Sequence, residues 1–120
     1  MTRSGAAGTK PLTSSVFYIL LALADQDRHG LGIVEEVDLR TRGEVQLGPG
    51  TLYNAVKKML AAGLIDEPEA RPAPEMDDPR RRYYRITPAG RAAVKAEAAR
   101  LERVVDAARD KNLLSPSRGR

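Results

Sequence analysis

The chain has 120 residues, 42% of them hydrophobic, which is enough to bury one modest core, so we expect a single folding unit. It has no cysteine, one histidine and no convergent carboxylate pair, which excludes disulfides and thiol chemistry and leaves no general-base constellation for an enzyme. The net charge of +4 favours a polyanionic partner, and nothing in the composition indicates a metal ion or a cofactor.

Two stretches of the chain lack carboxylates. No acid occurs in residues 45–65, and residues 80–91 contain five arginines, at positions 80, 81, 82, 85 and 91, without one acidic residue. Windows of this size also arise by chance in a basic protein. Two separate acid-free zones nevertheless favour two contact surfaces for a polyanion.

The N-terminal residues are small and polar, which predicts a disordered arm over residues 1–11. The longest apolar run, residues 16–24, is too short to cross a bilayer, and no signal-peptide cleavage pattern precedes it. We therefore expect a cytoplasmic protein with no membrane partner.

Residues 12–25 are apolar on nearly every side, and Thr13, Ser14 and Ser15 can cap a helix at their start. A buried strand gives a similar pattern, but the length of the run favours a helix. After a polar turn over residues 25–30, Ile33, Val34 and Val37 recur at helical spacing. This spacing predicts a short amphipathic second helix with its acids on the far side.

A third helix is predicted from Pro49 to Gly63, because proline suits the first helical position and glycine the residue after the last. Its residues divide into two faces three and four positions apart. Leu52, Val56, Met59 and Leu60 form the apolar face, and Thr51, Asn54 and Lys58 form the polar face.

Residues 64–67 and 82–87 are predicted to be two short strands, and Tyr84 and Ile86 on the second are expected to be core residues. The segment between them contains four prolines, at positions 68, 72, 74 and 79, which cannot donate to a ladder. Residues 68–79 should therefore form an irregular tip.

Thr87-Pro88 is a cap followed by proline in the first turn, which opens a long helix to about residue 111. The steps of four and three residues along this helix predict a short coiled-coil seam formed by Val94, Ala98, Leu101, Val105 and Ala108. The seam can pair with a second subunit or pack only within its own, and both interpretations stay open.

The order of elements predicts a mostly α fold with a small β-hairpin, a winged helix-turn-helix followed by one C-terminal dimerisation helix. Its expected boundaries are residues 12–87 for the winged domain, 88–111 for the dimerisation helix and 112–120 for a flexible basic tail.

Two strings at this separation resemble the PadR family of transcription regulators. They are Gly48-Pro49-Gly50-Thr51-Leu52-Tyr53 and Arg82-Tyr83-Tyr84-Arg85-Ile86-Thr87-Pro88-Ala89-Gly90, supported by His29-Gly30 and Gly63-Leu64-Ile65. The resemblance spans about residues 12–105 and implies a short-form member that binds double-stranded DNA. The chain departs from the family pattern at Leu31-Gly32 in the second helix. It also departs in the tip of the wing, which is acidic and should be repelled by DNA phosphates. We therefore assign DNA contact to the base of the wing.

The resemblance implies that the third helix enters the major groove. We predict that Thr51 and Asn54 contact bases, with Asn54 pairing with adenine, and that Lys57 and Lys58 neutralise phosphates. Tyr53 either reaches the DNA backbone through its hydroxyl or packs as a core aromatic under the wing.

Arg80, Arg81 and Arg82 are the predicted wing contacts, because guanidinium pairs well with phosphate and with a narrow minor groove. The alternative is that they form ion pairs with the acidic residues beside them. The position of His29 before Gly30 favours a structural role in a turn over catalysis.

A homodimer is expected to bury Leu12, Val16, Val94, Leu101 and Val105, and the alanine-rich core favours such extra burial. The dimer would bind an imperfect palindrome as a repressor and release it on binding a small-molecule effector. The sequence assigns no effector residues, although Tyr18 could stack on a ligand. The competing hypothesis is a winged-helix protein-interaction module without direct DNA readout.

Overall fold

The computed structural model describes residues 11–69 and 81–116. Residues 1–10 of the predicted arm, residues 70–79 of the predicted tip, Arg80 and residues 117–120 of the predicted tail lie outside it.

The described residues form four helices and three short strands, in the order that the sequence predicted except for one added strand. The elements are α1 (Ser14–Leu23), β1 (Arg28–His29), α2 (Gly30–Arg40), α3 (Pro49–Ala61), β2 (Ile65–Asp66), β3 (Tyr83–Ile86) and α4 (Pro88–Asp110). The mostly helical fold class is confirmed.

The sheet has three antiparallel strands in the order β1-β3-β2. Ile65 faces Ile86 in one pair of strands, and His29 faces Tyr83 in the other. The predicted turn over residues 25–30 is corrected here, because Arg28 and His29 form β1 and Gly30 begins α2. A strand of two residues is too short to show the alternation of apolar and polar side chains by which strands are predicted. The pairing of β1 with the distant β3 therefore left no local signal. The two predicted strands each extend one residue too far at both ends.

The core lies around α1, which packs against α2, α3 and α4. In α1, Ile19, Leu20 and Leu23 are almost fully buried. They are joined in the core by Ile33 of α2, Met59 of α3 and Ile65 of β2. The Thr13 hydroxyl caps α1 by accepting a hydrogen bond from the backbone N–H of Val16 at 3.3 Å. The predicted buried first helix is therefore confirmed.

The long helix α4 is buried only near its start. Thr87 caps it and Pro88 occupies its first position, as the sequence predicted. Gly90, Val94 and Glu97 are its buried residues, whereas most of residues 102–110 are exposed. No helix among the described residues has the length and apolar character needed to span a bilayer.

Candidate nucleic-acid interface

A glycine lies next to each end of the helix α3. Gly48 precedes it in an extended conformation, and Pro49 is its first residue. At the other end Gly63 has a φ of +77°, and the N–H of Leu64 donates to the carbonyl of Met59 at 3.0 Å. This bond across a left-handed residue ends the helix and directs the chain into β2. The exit from α3 is thus set by Gly63.

The two faces of α3 are divided as the sequence predicted. Ala55, Val56 and Met59 are buried, and Leu52 and Leu60 are half-buried against the core. The exposed side chains of the helix include Thr51, Tyr53, Asn54, Lys57 and Lys58. All five predicted contacts on this helix therefore lie on the protein surface.

Tyr53 is 63% exposed, which excludes the interpretation of this residue as a core aromatic. The Nζ atom of Lys57 lies 5.4 Å from the centroid of its ring, within the range of a cation–π contact. The ion pairs of the described residues do not include Lys57 or Lys58. The exposed face of α3 therefore presents two cations that have no carboxylate partner among the described residues.

The described arginines at the base of the wing make contacts within the subunit. Arg82 Nη2 donates to Glu67 Oε2 at 2.5 Å, so the ion-pair interpretation holds for this residue. Arg81 Nη1 lies 3.1 Å from His29 Nε2. Arg85 donates to both carboxylate oxygens of Asp66, at 2.9 and 3.1 Å, and was not a predicted contact.

Arg82 and Arg85 have different electrostatic surroundings. The pKa of Arg82 is raised first by its hydrogen bond to Glu67 and then by the charge of the Glu67 carboxylate. The pKa of Arg85 is raised first by its hydrogen bond to Asp66, and also by the charges of Asp66, Asp27 and Glu69. Arg82 and Arg85 are therefore each held by a different carboxylate of the wing.

His29 has the structural role that its position predicted. Its Nδ1 atom caps α2 by accepting a hydrogen bond from the N–H of Gly32 at 3.1 Å. The ring also stacks edge-on against Tyr83 with centroids 5.3 Å apart. Sequence reasoning missed the contacts of His29 with Arg81 and Tyr83, since more than 50 residues separate them along the chain.

The predicted dimer residues differ in how much surface they offer. Val94 is 6% exposed and belongs to the core of its own subunit, whereas Val105 is 37% exposed. Leu12, Val16 and Leu101 are half-buried. The predicted seam is therefore accessible mainly in the C-terminal half of α4.

Glu97 lies on α4 beside the predicted seam, and it is a charged residue that the structure buries. It is 6% exposed, and its carboxylate accepts two hydrogen bonds from Arg100, at 2.6 and 3.1 Å. The Arg100 hydrogen bond lowers the pKa of the Glu97 carboxyl, burial opposes this shift, and the backbone N–H of Leu12 adds to it. Through this bond to Leu12, Glu97 connects α4 to the segment that leads into α1.

A cavity of about 200 Å³ lies beside this pair. Its lining comprises Leu12, Ser14, Phe17, Tyr18, Glu97, Arg100 and Leu101. Sites for drug-sized ligands measure about 300–1,000 Å³, so the cavity alone does not assign an effector. Among the described residues no group of histidine and acidic side chains could hold a metal ion.

Comparisons with known proteins agree with this geometry. Residues 19–96 match the model of the transcriptional regulator PadR-like family. The chain is 35% identical over 85 residues to the transcriptional regulator Rv3488 of Mycobacterium tuberculosis, covering 71% of this chain and 73% of that protein.

Two solved structures share the fold. A transcriptional regulator from Clostridium thermocellum has a TM-score of 0.67 at 24% identity, covering 82% of this chain and 96% of that chain. A PadR family transcription regulator from Clostridium difficile has a TM-score of 0.66 at 24% identity, covering 82% and 97%. At this identity the two likenesses establish the winged-helix fold alone.

The family match extends over more than half of the chain and includes α2, α3, the wing strands and the start of α4. Members of this family are DNA-binding transcriptional regulators and not enzymes, in agreement with the sequence analysis. The protein belongs to the PadR-like family of transcriptional regulators.

Proposed function

We propose that the protein is a cytoplasmic repressor that binds a pseudo-palindromic operator as a homodimer, with α3 lying in the major groove of duplex DNA. The observation that carries this proposal is the exposed face of α3, which is polar, cationic and free of acids. An α-helix fits the width of the major groove, and its first turns come closest to the base edges.

Each of the five predicted contacts on α3 has a role that follows from its chemistry. Asn54 can pair bidentately with adenine, and Thr51 can donate to a base or a phosphate. Lys57 and Lys58 neutralise phosphates, which gives affinity without sequence information. The exposure of Tyr53 leaves its hydroxyl accessible to the DNA backbone.

The wing supplies the second contact, through Arg81 and Arg82. Both side chains are exposed at the base of the wing. Guanidinium groups suit phosphates and narrow minor grooves, whereas the carboxylates of the predicted tip do not.

The homodimer would form through α4. Val104 and Val105 are 54% and 37% exposed, and Leu113 and Leu114 just beyond the helix are 71% and 50% exposed. Apolar surface on the exposed half of one helix is stabilised by burial against a second copy. The two α3 helices of such a dimer would contact half-sites separated by about one DNA turn, roughly 34 Å.

A gel-shift assay on the chain's own upstream region, repeated across a salt series, tests the binding. We expect tight binding with a steep linear fall in log affinity against log salt, because phosphate contacts release counterions. Absent or salt-insensitive binding would contradict the proposal. A reporter gene driven by the same region should be less active when the protein is present.

The wing contacts are tested by the double variant Arg81→Gln/Arg82→Gln. It should weaken binding to the upstream region and to an unrelated duplex alike, with a salt slope reduced by about 0.9 for each lost phosphate contact. Arg103→Gln, an exposed arginine on α4, is the matched control and should leave binding unchanged.

The competing hypothesis, a protein-interaction module, requires an apolar face on α3. Of the five exposed residues named on that face, Thr51 and Asn54 are polar and Lys57 and Lys58 are cationic. Tyr53 is the only aromatic residue among these five. The surface therefore supports DNA over a protein partner.

A further inference from the structure

Glu67 contacts one of the proposed DNA-binding arginines directly. It follows β2 by one residue, and its carboxylate accepts a hydrogen bond from Arg82 Nη2 at 2.5 Å. The side chains of Arg82 and Glu67 are 68% and 40% exposed, so a DNA phosphate can reach the pair from solvent. The contact is therefore formed at the proposed interface and remains open to competition.

A second pair on the same hairpin provides a natural comparison. Asp66 holds Arg85 through two hydrogen bonds, and the side chains of Arg85 and Asp66 are exposed to similar degrees, 50% and 47%. The carboxylates whose charges act on Arg85 are Asp66, Asp27 and Glu69. The two pairs thus share their chemistry, but only Arg82 belongs to the proposed DNA-binding surface.

The physical consequence of the Glu67 contact follows from charge. A carboxylate bound to a guanidinium occupies donors that a phosphate would use, and it repels the phosphate through its own charge. Lys57 and Lys58 on the neighbouring face of α3 have no such counterion among the described residues. Arg82 therefore carries a counterion before DNA arrives, in contrast to these two lysines.

We propose that Glu67 is an intramolecular counterion that competes with DNA phosphate for Arg82, and so limits the contribution of the wing to DNA affinity. The inference rests on the proposed function. Arg82 adds affinity only where the duplex places a phosphate close enough to displace the carboxylate. Glu67 is then a positioning residue for the wing and not itself a contact of the DNA.

The test is the full chain carrying Glu67→Gln, measured against wild type by fluorescence anisotropy on a duplex of the upstream region. Glutamine keeps the size of the side chain and removes its charge. We expect binding to tighten by roughly threefold to tenfold. The slope of log affinity against log salt should steepen by at most about 0.9, because Arg82 then neutralises a phosphate without competition from Glu67.

Two further variants separate this mechanism from a general change of charge. Asp66→Asn removes the same charge from the same hairpin beside Arg85, and it should leave affinity and slope at their wild-type values. Glu67→Gln in an Arg82→Gln background should give no gain over Arg82→Gln alone, because the competing arginine is absent. Thermal unfolding of each variant verifies that the chain is folded.

Distinct outcomes separate this inference from the proposed function. Wild-type protein that binds the duplex without salt dependence would contradict the proposed function and the inference together. Salt-dependent wild-type binding with a Glu67→Gln variant that binds equally or more weakly would overturn the inference alone. An equal gain from Asp66→Asn, or a gain that persists without Arg82, would also overturn it.

Discussion

Gly90, in the first turn of α4, packs directly on the backbone carbonyl oxygen of Leu64, and a Cβ atom at this position would clash with that oxygen. The same carbonyl accepts a hydrogen bond from the N–H of Thr87 at 3.1 Å, and the Thr87 hydroxyl donates to the carbonyl of Gly63 at 2.6 Å. The start of α4 is thereby fixed to the corner between α3 and β2. This corner sets the position of the wing relative to the recognition helix.

Gly90→Ala should lower the free energy of unfolding by roughly 2–3 kcal/mol, because the added methyl group displaces backbone atoms that cannot move aside easily. Urea unfolding followed by circular dichroism measures the loss. Gly50→Ala is the matched control, since nothing lies within 4 Å of its Cβ position, and its stability should not fall. Similar losses in both variants would contradict the proposed role of the Gly90 contact.

His29→Ala should destabilise the fold by about 0.5–2 kcal/mol, because the N–H of Gly32 loses its acceptor at the start of α2. His29→Asn should recover part of that loss, since asparagine is a good N-cap residue. Thermal unfolding distinguishes the two variants. If asparagine is no better than alanine, the cap is not the source of the stability.

Asn54→Ala should reduce discrimination between the upstream region and an unrelated duplex by about 1–3 kcal/mol, because a base contact is lost. Lys58→Gln should instead weaken binding to both duplexes and reduce the salt slope by about 0.9. Competition gel shifts with both duplexes measure the ratio. Identical behaviour of the two variants would contradict the division between base and phosphate contacts.

The Glu97 pair predicts a dependence of stability on acid pH. The pKa of Glu97 is lower in the folded chain than in the unfolded chain, so its stabilisation is present above the unfolded pKa. It is lost as the pH falls through the folded pKa. Urea unfolding from about pH 7 to about pH 3 should show a steeper loss in wild type than in Glu97→Gln, which lacks the titrating group. Parallel curves would contradict this assignment.

Val105→Glu should weaken a homodimer by at least about tenfold, because it places an unpaired charge in the proposed seam. Sedimentation equilibrium measures the change, and DNA affinity should fall with it. Ala99→Glu introduces the same charge at an exposed position of α4. It lies about 200° around the helix from Leu101, so the dimer should be retained. Equal effects of the two substitutions would place the dimer interface elsewhere.

Local features of the chain were sufficient to predict the four helices. Thr13 and the Thr87-Pro88 pair mark helix starts through caps that involve neighbours three residues away. The exposed face of α3 was also predictable, since residues three and four apart share a side of a helix. The five exposed candidates on α3 required only this spacing.

Contacts between distant parts of the chain were not predictable in this way. The pairing of β1 with β3 joins residues more than 50 positions apart, and the burial of Glu97 depends on α1 packing beside it. The sequence left two interpretations open for the wing arginines, contacts with DNA or ion pairs with neighbouring acids. The structure shows that Arg82 is paired with Glu67, while the DNA contact remains a proposal.

The sequence by itself determined the order of the elements, the family and the acid-free face of α3, because periodicity, caps and motifs are properties of neighbouring residues. Only the tertiary structure decided which polar groups meet: Arg82 with Glu67, Arg81 with His29, and Glu97 with the backbone of Leu12. Such pairings depend on how helices and strands pack in space, and residue spacing along one chain does not specify that packing.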